Sequence, residues 1–237
     1  MDVPPIWPWA PAPLTARASA GVVDVWRADL AAVEDGLADL LDAEELARAA
    51  RIVHVRNRTR WARSRGVLRA LLGRYLERDP RELRFVLGPH GKPALSGGEI
   101  DTDLDLRFNL SHSGGLALIA VSAGREVGVD LEIAGRRVLD EPAIAARILG
   151  RAPAARLAEL DPRTREREFM RAWVSHEAAV KCRGTGLSAG LEAHPPSAQT
   201  ELWTAELDVG PDNYAAVAVE DGPCELHSWD WSGAWSA

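Results

Sequence analysis

The chain runs through one order of elements twice. From Asn57 to Leu76, the residues Trp61, Leu68, Leu71, Leu72, Tyr75 and Leu76 recur at helical spacing. Strand-like runs follow at Leu106–Leu110, Leu116–Ser122 and Val127–Ile133. A second long helix is predicted from Arg163 to Cys182, and strands again at Glu201–Val209, Tyr214–Glu220 and Cys224–Trp231. Laying Leu116–Glu132 over Tyr214–Asp230 aligns strand, turn and strand, with the turn glycines Gly124 and Gly222 in register. Such a chain is expected to be α+β, a pseudo-two-fold pair of similar halves, each with a long helix and a small antiparallel sheet. The expected division is residues 1–125 and 126–237, packed as one unit with a site at the seam.

Local signals fill in the rest. Gly21–Ala28 alternates and reads as a first strand, and Asp42 with Glu45 three residues on makes a capping box opening a helix to about Ile52. Asp79-Pro80 ends the first long helix, Arg84–Leu87 is a short strand, Gly88–Pro93 a turn and 96–105 a polar loop. Ala123–Glu126 reads as the tight turn between Leu116–Ser122 and its return strand, and Glu141–Leu149 as a helix. The two cysteines, Cys182 and Cys224, have no C-x-x-C spacing, which argues against a disulfide framework or thiolate zinc and for a reducing cytoplasm. No apolar run reaches the roughly 20 residues of a membrane span, and residues 1–13 lack the basic and apolar regions of a signal peptide.

Charge is unevenly laid out. The net charge is −7, yet nine arginines and no acid lie between Leu46 and Leu76. A cationic helix on an acidic protein points to a focused anion site rather than a nucleic-acid surface. Of 28 basic residues, only Lys92 and Lys181 are lysine. Both lie in stretches that carry chemistry.

On the second long helix, Glu177 continues the row Phe169–Trp173 where a core residue is expected, and Lys181 follows four residues later. The ordinary reading is an i,i+4 ion pair at the edge of a core helix. Asp130 and Glu132, two apart on one strand, project from one face. They suit either the wet face of an edge strand or a hard cation such as Mg²⁺. Ser111-His112-Ser113, between a strand and Gly114-Gly115, reads as a polar turn with hydroxyls, an imidazole and amides able to bind phosphate oxygens. Zinc of the H-E-x-x-H kind is excluded because Val180 stands where the second histidine belongs, and G-x-S-x-G, Walker A and G-x-G-x-x-G patterns are absent. Three carboxylates, two lysines, a Ser-His turn and an arginine-faced helix are equipment for Mg²⁺-dependent transfer from a polyphosphate donor.

Gly91-Lys92-Pro93, Phe108-Asn109-Leu110-Ser111-His112-Ser113, Gly128-Val129-Asp130-Leu131-Glu132 and Trp173…Glu177-Ala178…Lys181…Gly184-Thr185-Gly186-Leu187 resemble, in order and spacing, the motifs of the Sfp-type 4′-phosphopantetheinyl transferases. The resemblance runs from the first strand to the C-terminal strands. The length is similar to the monomeric, two-halved type rather than the half-length trimeric holo-acyl-carrier-protein synthases. It implies that family's fold, with coenzyme A as donor and a serine of an acyl, peptidyl or aryl carrier protein from fatty-acid, polyketide or nonribosomal peptide synthesis as acceptor. Asp130, Glu132 and Glu177 would hold Mg²⁺, or Mn²⁺ in its place. Glu177 would take the serine proton and Lys181 would sit on the pyrophosphate. Lys92, Ser111 and His112, with some of Arg48, Arg60 and Arg63, would bind the phosphates of coenzyme A. No nucleic acid and no membrane are expected as partners.

The sequence departs from the family at one place, with His176-Glu177 where a Lys-Glu pair is common. Histidine is largely neutral at pH 7, so a relative that binds coenzyme A or a carrier protein with weak or no turnover is the alternative. A nucleic-acid binder built on the arginine helix is a third, opposed by the acidic remainder of the chain. The terminal tryptophans Trp7, Trp9, Trp229, Trp231 and Trp235 are expected to be structural.

Overall fold

A computed structural model of the chain describes residues 8–13, 15–96, 105–135, 141–186 and 201–231. Most of the predicted 96–105 loop, Leu187, Trp7 and Trp235 fall outside the described residues. In chain order the elements are β1 (Ala10–Pro11), β2 (Val22–Asp29), a 3₁₀ turn (Asp35–Leu40), α1 (Ala43–Ala50), α2 (Val55–Leu76), β3 (Phe85–Leu87), β4 (Pro93–Leu95), β5 (Leu106–Ser113), β6 (Leu116–Ala123), β7 (Val127–Ile133), α3 (Glu141–Leu149), α4 (Arg151–Ala158), α5 (Pro162–Arg183), β8 (Leu202–Leu207), β9 (Asn213–Glu220) and β10 (Glu225–Asp230).

The helix ends follow local chemistry. Asp42 accepts from the Glu45 amide at 2.9 Å while Glu45 accepts from the Asp42 amide at 3.3 Å, completing the predicted capping box of α1. Asp161 accepts from the Thr164 amide and Pro162 occupies the first turn of α5, whose C-terminus closes on Gly184 at φ 66°.

The α+β expectation holds, and the repeat is clear in the pairing. β2, β6 and β5 are neighbours in that order, all antiparallel, and β7, β9 and β8 repeat that order with α5 in the place of α2. Both predicted hairpins are overturned. β7 pairs with β9 rather than with β6, so residues 124–126 carry the chain from one sheet to the other. β10 leaves β9 and pairs parallel with β2, from Glu225 opposite Val22 to Asp230 opposite Arg27. The first sheet is therefore five-stranded and mixed, in the order β1-β10-β2-β6-β5, and the second is three-stranded and antiparallel.

Strand alternation sorts the apolar residues into three cores. Even positions of β2 (Trp26, Ala28) and odd positions of β6 (Ile119, Val121) pack under Leu68, Leu71 and Leu72 of α2. Their opposite faces (Val23, Val25, Leu118, Ala120) meet Val127, Val129, Leu131, Val217 and Val219 between the sheets. The outer face of the second sheet (Ala216, Ala218) lies under Phe169, Trp173 and Ala178 of α5. The layering is helix, sheet, sheet, helix. Trp229 and Trp231 both pack on Trp26 of the first sheet, with ring centroids 6.2 and 6.4 Å away.

Candidate active site

β5 is one edge of the first sheet and β7 one edge of the second. In an antiparallel pair alternate residues turn both amide and carbonyl outward, so Val129 and Leu131 present theirs away from β9. Side chains of β5 take them. Asn109 Oδ1 accepts from the Val129 amide at 2.9 Å and Ser111 Oγ from the Leu131 amide at 3.3 Å. Ser113 Oγ donates to Glu132 at 3.0 Å. Three residues two apart thus join the halves through side chains where a backbone ladder would otherwise run. This corrects the reading of Ser111–Ser113 as a turn. They complete β5, paired as far as Ser113 opposite Leu116, and the turn begins at Gly114. Their backbone is extended and paired with β6 rather than curled into an anion nest.

The other face of β7 carries Gly128, Asp130 and Glu132 toward α5. A Cβ on Gly128 would lie 2.9 Å from the Cys182 Cα and closer still to the Ala178 carbonyl and Cys182 amide, so only glycine admits the helix this near. That approach brings Lys181 Nζ to 2.5 Å from Asp130 Oδ1 and 3.0 Å from Ser111 Oγ. Ser111 Oγ also donates to Asp130 Oδ1 at 3.1 Å, and with one proton given and two bonds accepted its hydroxyl is saturated. Asp130, Glu132 and Glu177 are each 4–5% exposed.

Among the described residues no three His, Cys, Asp or Glu side chains are grouped as a metal site. The donor set nevertheless fits a hard cation. All three groups are buried carboxylates, and Asp130 Oδ2 has no hydrogen-bond partner among the described residues.

Beyond β5, an open cavity of about 700 Å³ is lined by Arg48, Arg51, Trp61, Gly91, Pro93, Leu110 and His112, among others. Strand periodicity therefore divides one motif between two tasks. Asn109, Ser111 and Ser113 face the seam, while Leu110 and His112 face the cavity. Desolvation pushes the His112 imidazole below its ordinary pKa, helped by the positive charges of Lys181 and Arg60.

Not every predicted phosphate ligand points here. Arg63 donates to the Leu30 carbonyl at 2.8 Å and to Asp35, so it secures the connection after β2. Arg65 and the fully buried Arg69 both pair with Glu45, and Arg69 also with Asp42. Part of the acid-free arginine run is thus paired with acids of α1 and the segment before it. Arg48 and Arg51 line the cavity beside Arg65 and the acids Asp42, Glu44 and Glu45, and Arg60 is close enough for its charge to act on His112. Lys92 donates to Glu126 at 2.5 Å, the Cys182 carbonyl at 2.9 Å and the Val127 carbonyl at 3.1 Å, away from that cavity.

Comparison with known proteins bears directly on this arrangement. Residues 126–227 match the family model described as the 4′-phosphopantetheinyl transferase superfamily, and residues 26–124 match one described as 4′-phosphopantetheinyl transferase, N-terminal. The chain is 35% identical over 221 residues to the 4′-phosphopantetheinyl transferase HetI of Nostoc sp., covering 89% of this chain and 92% of HetI. It belongs to the 4′-phosphopantetheinyl transferase family. This transferase is also 35% identical over 116 residues to AcpT of Salmonella typhi, 49% of this chain and 56% of AcpT. To Sfp of Bacillus subtilis it is 28% identical over 128 residues, 54% of this chain and 53% of Sfp.

Three working residues of the transferase drew no role from sequence. Asn109 shares the two-residue spacing of Ser111 and Ser113, which is the signal that finds it. Gly128, inside an apolar strand run, is the kind of glycine that marks close backbone approach. Glu126, which holds Lys92 and Arg107, has no local signature. Among the described residues no helix is long and apolar enough to cross a membrane.

Proposed function

We propose that the chain transfers the 4′-phosphopantetheine group of coenzyme A to a serine hydroxyl of an acyl, peptidyl or aryl carrier protein and releases adenosine 3′,5′-bisphosphate. The observation that supports this reading best is the meeting of Lys181, Asp130 and Ser111 at the seam, beside a cavity edged by Arg48 and His112. Phosphates lying along the cavity would meet Arg48, His112, Arg51 and Arg60 through charge-assisted hydrogen bonds. The incoming serine oxygen bonds to the phosphorus that carries the pantetheine arm, and the bond from that phosphorus to the bridging pyrophosphate oxygen breaks. The serine proton passes to Glu177, one helical turn before Lys181 on α5. Lys181 faces the charge growing on the leaving phosphate. Asp130, Glu132 and Glu177 would hold Mg²⁺, or Mn²⁺ in its place, and a metal there supplies charge stabilisation to the pyrophosphate. Ser111 serves the reaction by orienting Asp130 and Lys181, its hydroxyl being fully engaged. In the same reading the protein acts as a cytoplasmic monomer.

Intact-protein mass spectrometry of an apo-carrier protein incubated with this protein, coenzyme A and Mg²⁺, with an EDTA control, tests the proposal. A gain of one phosphopantetheine that disappears with EDTA is expected. Measurable coenzyme A binding with no gain on any of several carriers would instead make the chain a non-catalytic binder.

A further inference from the structure

The Gly91-Lys92-Pro93 stretch belongs to the β3–β4 hairpin, in which Gly88 donates to the Lys92 carbonyl and Leu87 pairs with Pro93. Gly91 and Pro93 touch the cavity of Arg48 and His112, but the Lys92 side chain lies in a separate groove lined by Phe108, Glu126, Cys182 and Gly184. There its ammonium meets Glu126 Oε2, the Val127 carbonyl and the Cys182 carbonyl, three acceptors for three protons. Cys182 is in the last turn of α5, where carbonyls have no partner within the helix and a cation is favoured. Val127 opens β7. Glu126 is itself anchored, its other oxygen receiving Arg107 at 2.7 Å. The stem of Lys92 passes the C-cap, 3.6 Å from where a Gly184 Cβ would be.

We propose that Lys92 is a positioning residue: its ammonium ties the end of α5 to the start of β7 and so holds Lys181 against Asp130. Lys181 immediately precedes Cys182, and Asp130 lies three residues along β7 from Val127, so the two elements that Lys92 joins are those that carry the pair. A compact ammonium suits three convergent acceptors where a planar guanidinium fork does not, which accounts for lysine here in a chain otherwise rich in arginine. With its protons all accepted, Lys92 has none for a phosphate. The kinetic part of the inference rests on the transferase reading above.

The test compares Lys92→Met, Lys92→Arg and the milder Glu126→Gln with the wild-type protein. Coenzyme A and 3′-dephospho-coenzyme A binding are measured by calorimetry, amide exchange by mass spectrometry, and kcat and KM in the carrier assay. A positioning role predicts coenzyme A affinity within about twofold and an unchanged preference over the dephospho analogue. It also predicts faster exchange in β7 and the last turn of α5, and kcat lower by about tenfold or more without rescue by arginine. Glu126→Gln should show the same pattern in smaller degree. A tenfold or larger loss of coenzyme A affinity that erases the preference over the dephospho analogue would make Lys92 a phosphate ligand. Faster exchange with unchanged kcat would leave only a structural tie; both results overturn the proposal. If the wild-type protein modifies no carrier, the transferase reading fails separately. Binding and exchange still decide where the Lys92 ammonium acts, and unchanged exchange in Lys92→Met overturns its tie to β7 and α5.

Discussion

Gly128→Ala is a one-carbon change whose size can be worked from the backbone. Ordinary contact for a Cβ begins at 3.4 Å, but here it would stand 2.9 Å from the Cys182 Cα and nearer still to the Ala178 carbonyl oxygen and the Cys182 amide. All three are main-chain atoms of α5, so no rotamer relieves the clash, and the helix must retreat by roughly 1 Å or more. Overpacking of this kind costs about 3 kcal/mol, which for a protein of this size lowers Tm by about 6–12 °C. The retreat also moves Glu177 and Lys181, which directly precede the clashing residues. Displacements of ~1 Å at a reacting centre cost about a hundredfold in rate. Thermal denaturation and carrier phosphopantetheinylation, read at a temperature where the variant is folded, measure the two effects. Gly115→Ala is the control, since nothing lies within 4 Å of its added carbon. A Gly128→Ala protein that melts within about 2 °C of wild type and turns over normally would refute the close helix–strand approach and the placement of the pair that depends on it.

Asp130→Asn keeps the shape of the seam but removes the charge facing Lys181; carrier modification should fall at least about a hundredfold while the circular dichroism spectrum is retained. Glu45→Gln takes the carboxylate from two buried guanidinium groups, Arg65 and Arg69, and urea denaturation should show a loss of about 3 kcal/mol. His112 titrates below the usual 6.5, through desolvation first and then Lys181 and Arg60. The folded chain thus binds fewer protons there than the unfolded one, so the site's stability contribution is whole above 6.5 and declines as pH falls. NMR titration should give a lowered midpoint that rises when coenzyme A binds, and His112→Asn should flatten that part of the stability profile. Burial pushes the Cys182 thiol up to about 12; iodoacetamide at pH 8 should leave it unmodified in the native protein, which peptide mapping would show.

Local chemistry is where sequence and structure coincide. The Asp42–Glu45 capping box and the bounds of α3 (Glu141–Leu149) follow from contacts within a few residues. α4 was missed, since Arg151–Ala158 is short and carries Pro153 in its first turn. Strand positions were legible and strand partners were not. Alternation marks β7 and β10 as strands, but nothing within either says that it will cross to the other sheet. The site divides in the same way. Asp130 and Lys181 were legible as charged groups in apolar runs, and the structure brings them together. The pairing of Arg65 and Arg69 was not legible, because their counter-charges Glu45 and Asp42 lie 20 to 27 positions away in sequence. The contacts of Lys92 are not legible locally because its acceptors are two carbonyls and a carboxylate contributed by distant residues.

The pairing of β10 with β2 also sets a timetable for synthesis. Arg27 and Asp230, joined by an ion pair on these neighbouring strands, are 203 positions apart. On a ribosome the first sheet therefore waits, with the outer edge of β2 unpaired, until nearly the whole second repeat has emerged. Contacts of such long sequence separation slow folding and keep an exposed strand edge available for wrong partners. The first repeat made alone would have the same open edge, and supplying β10 as a separate peptide is the direct way to close it.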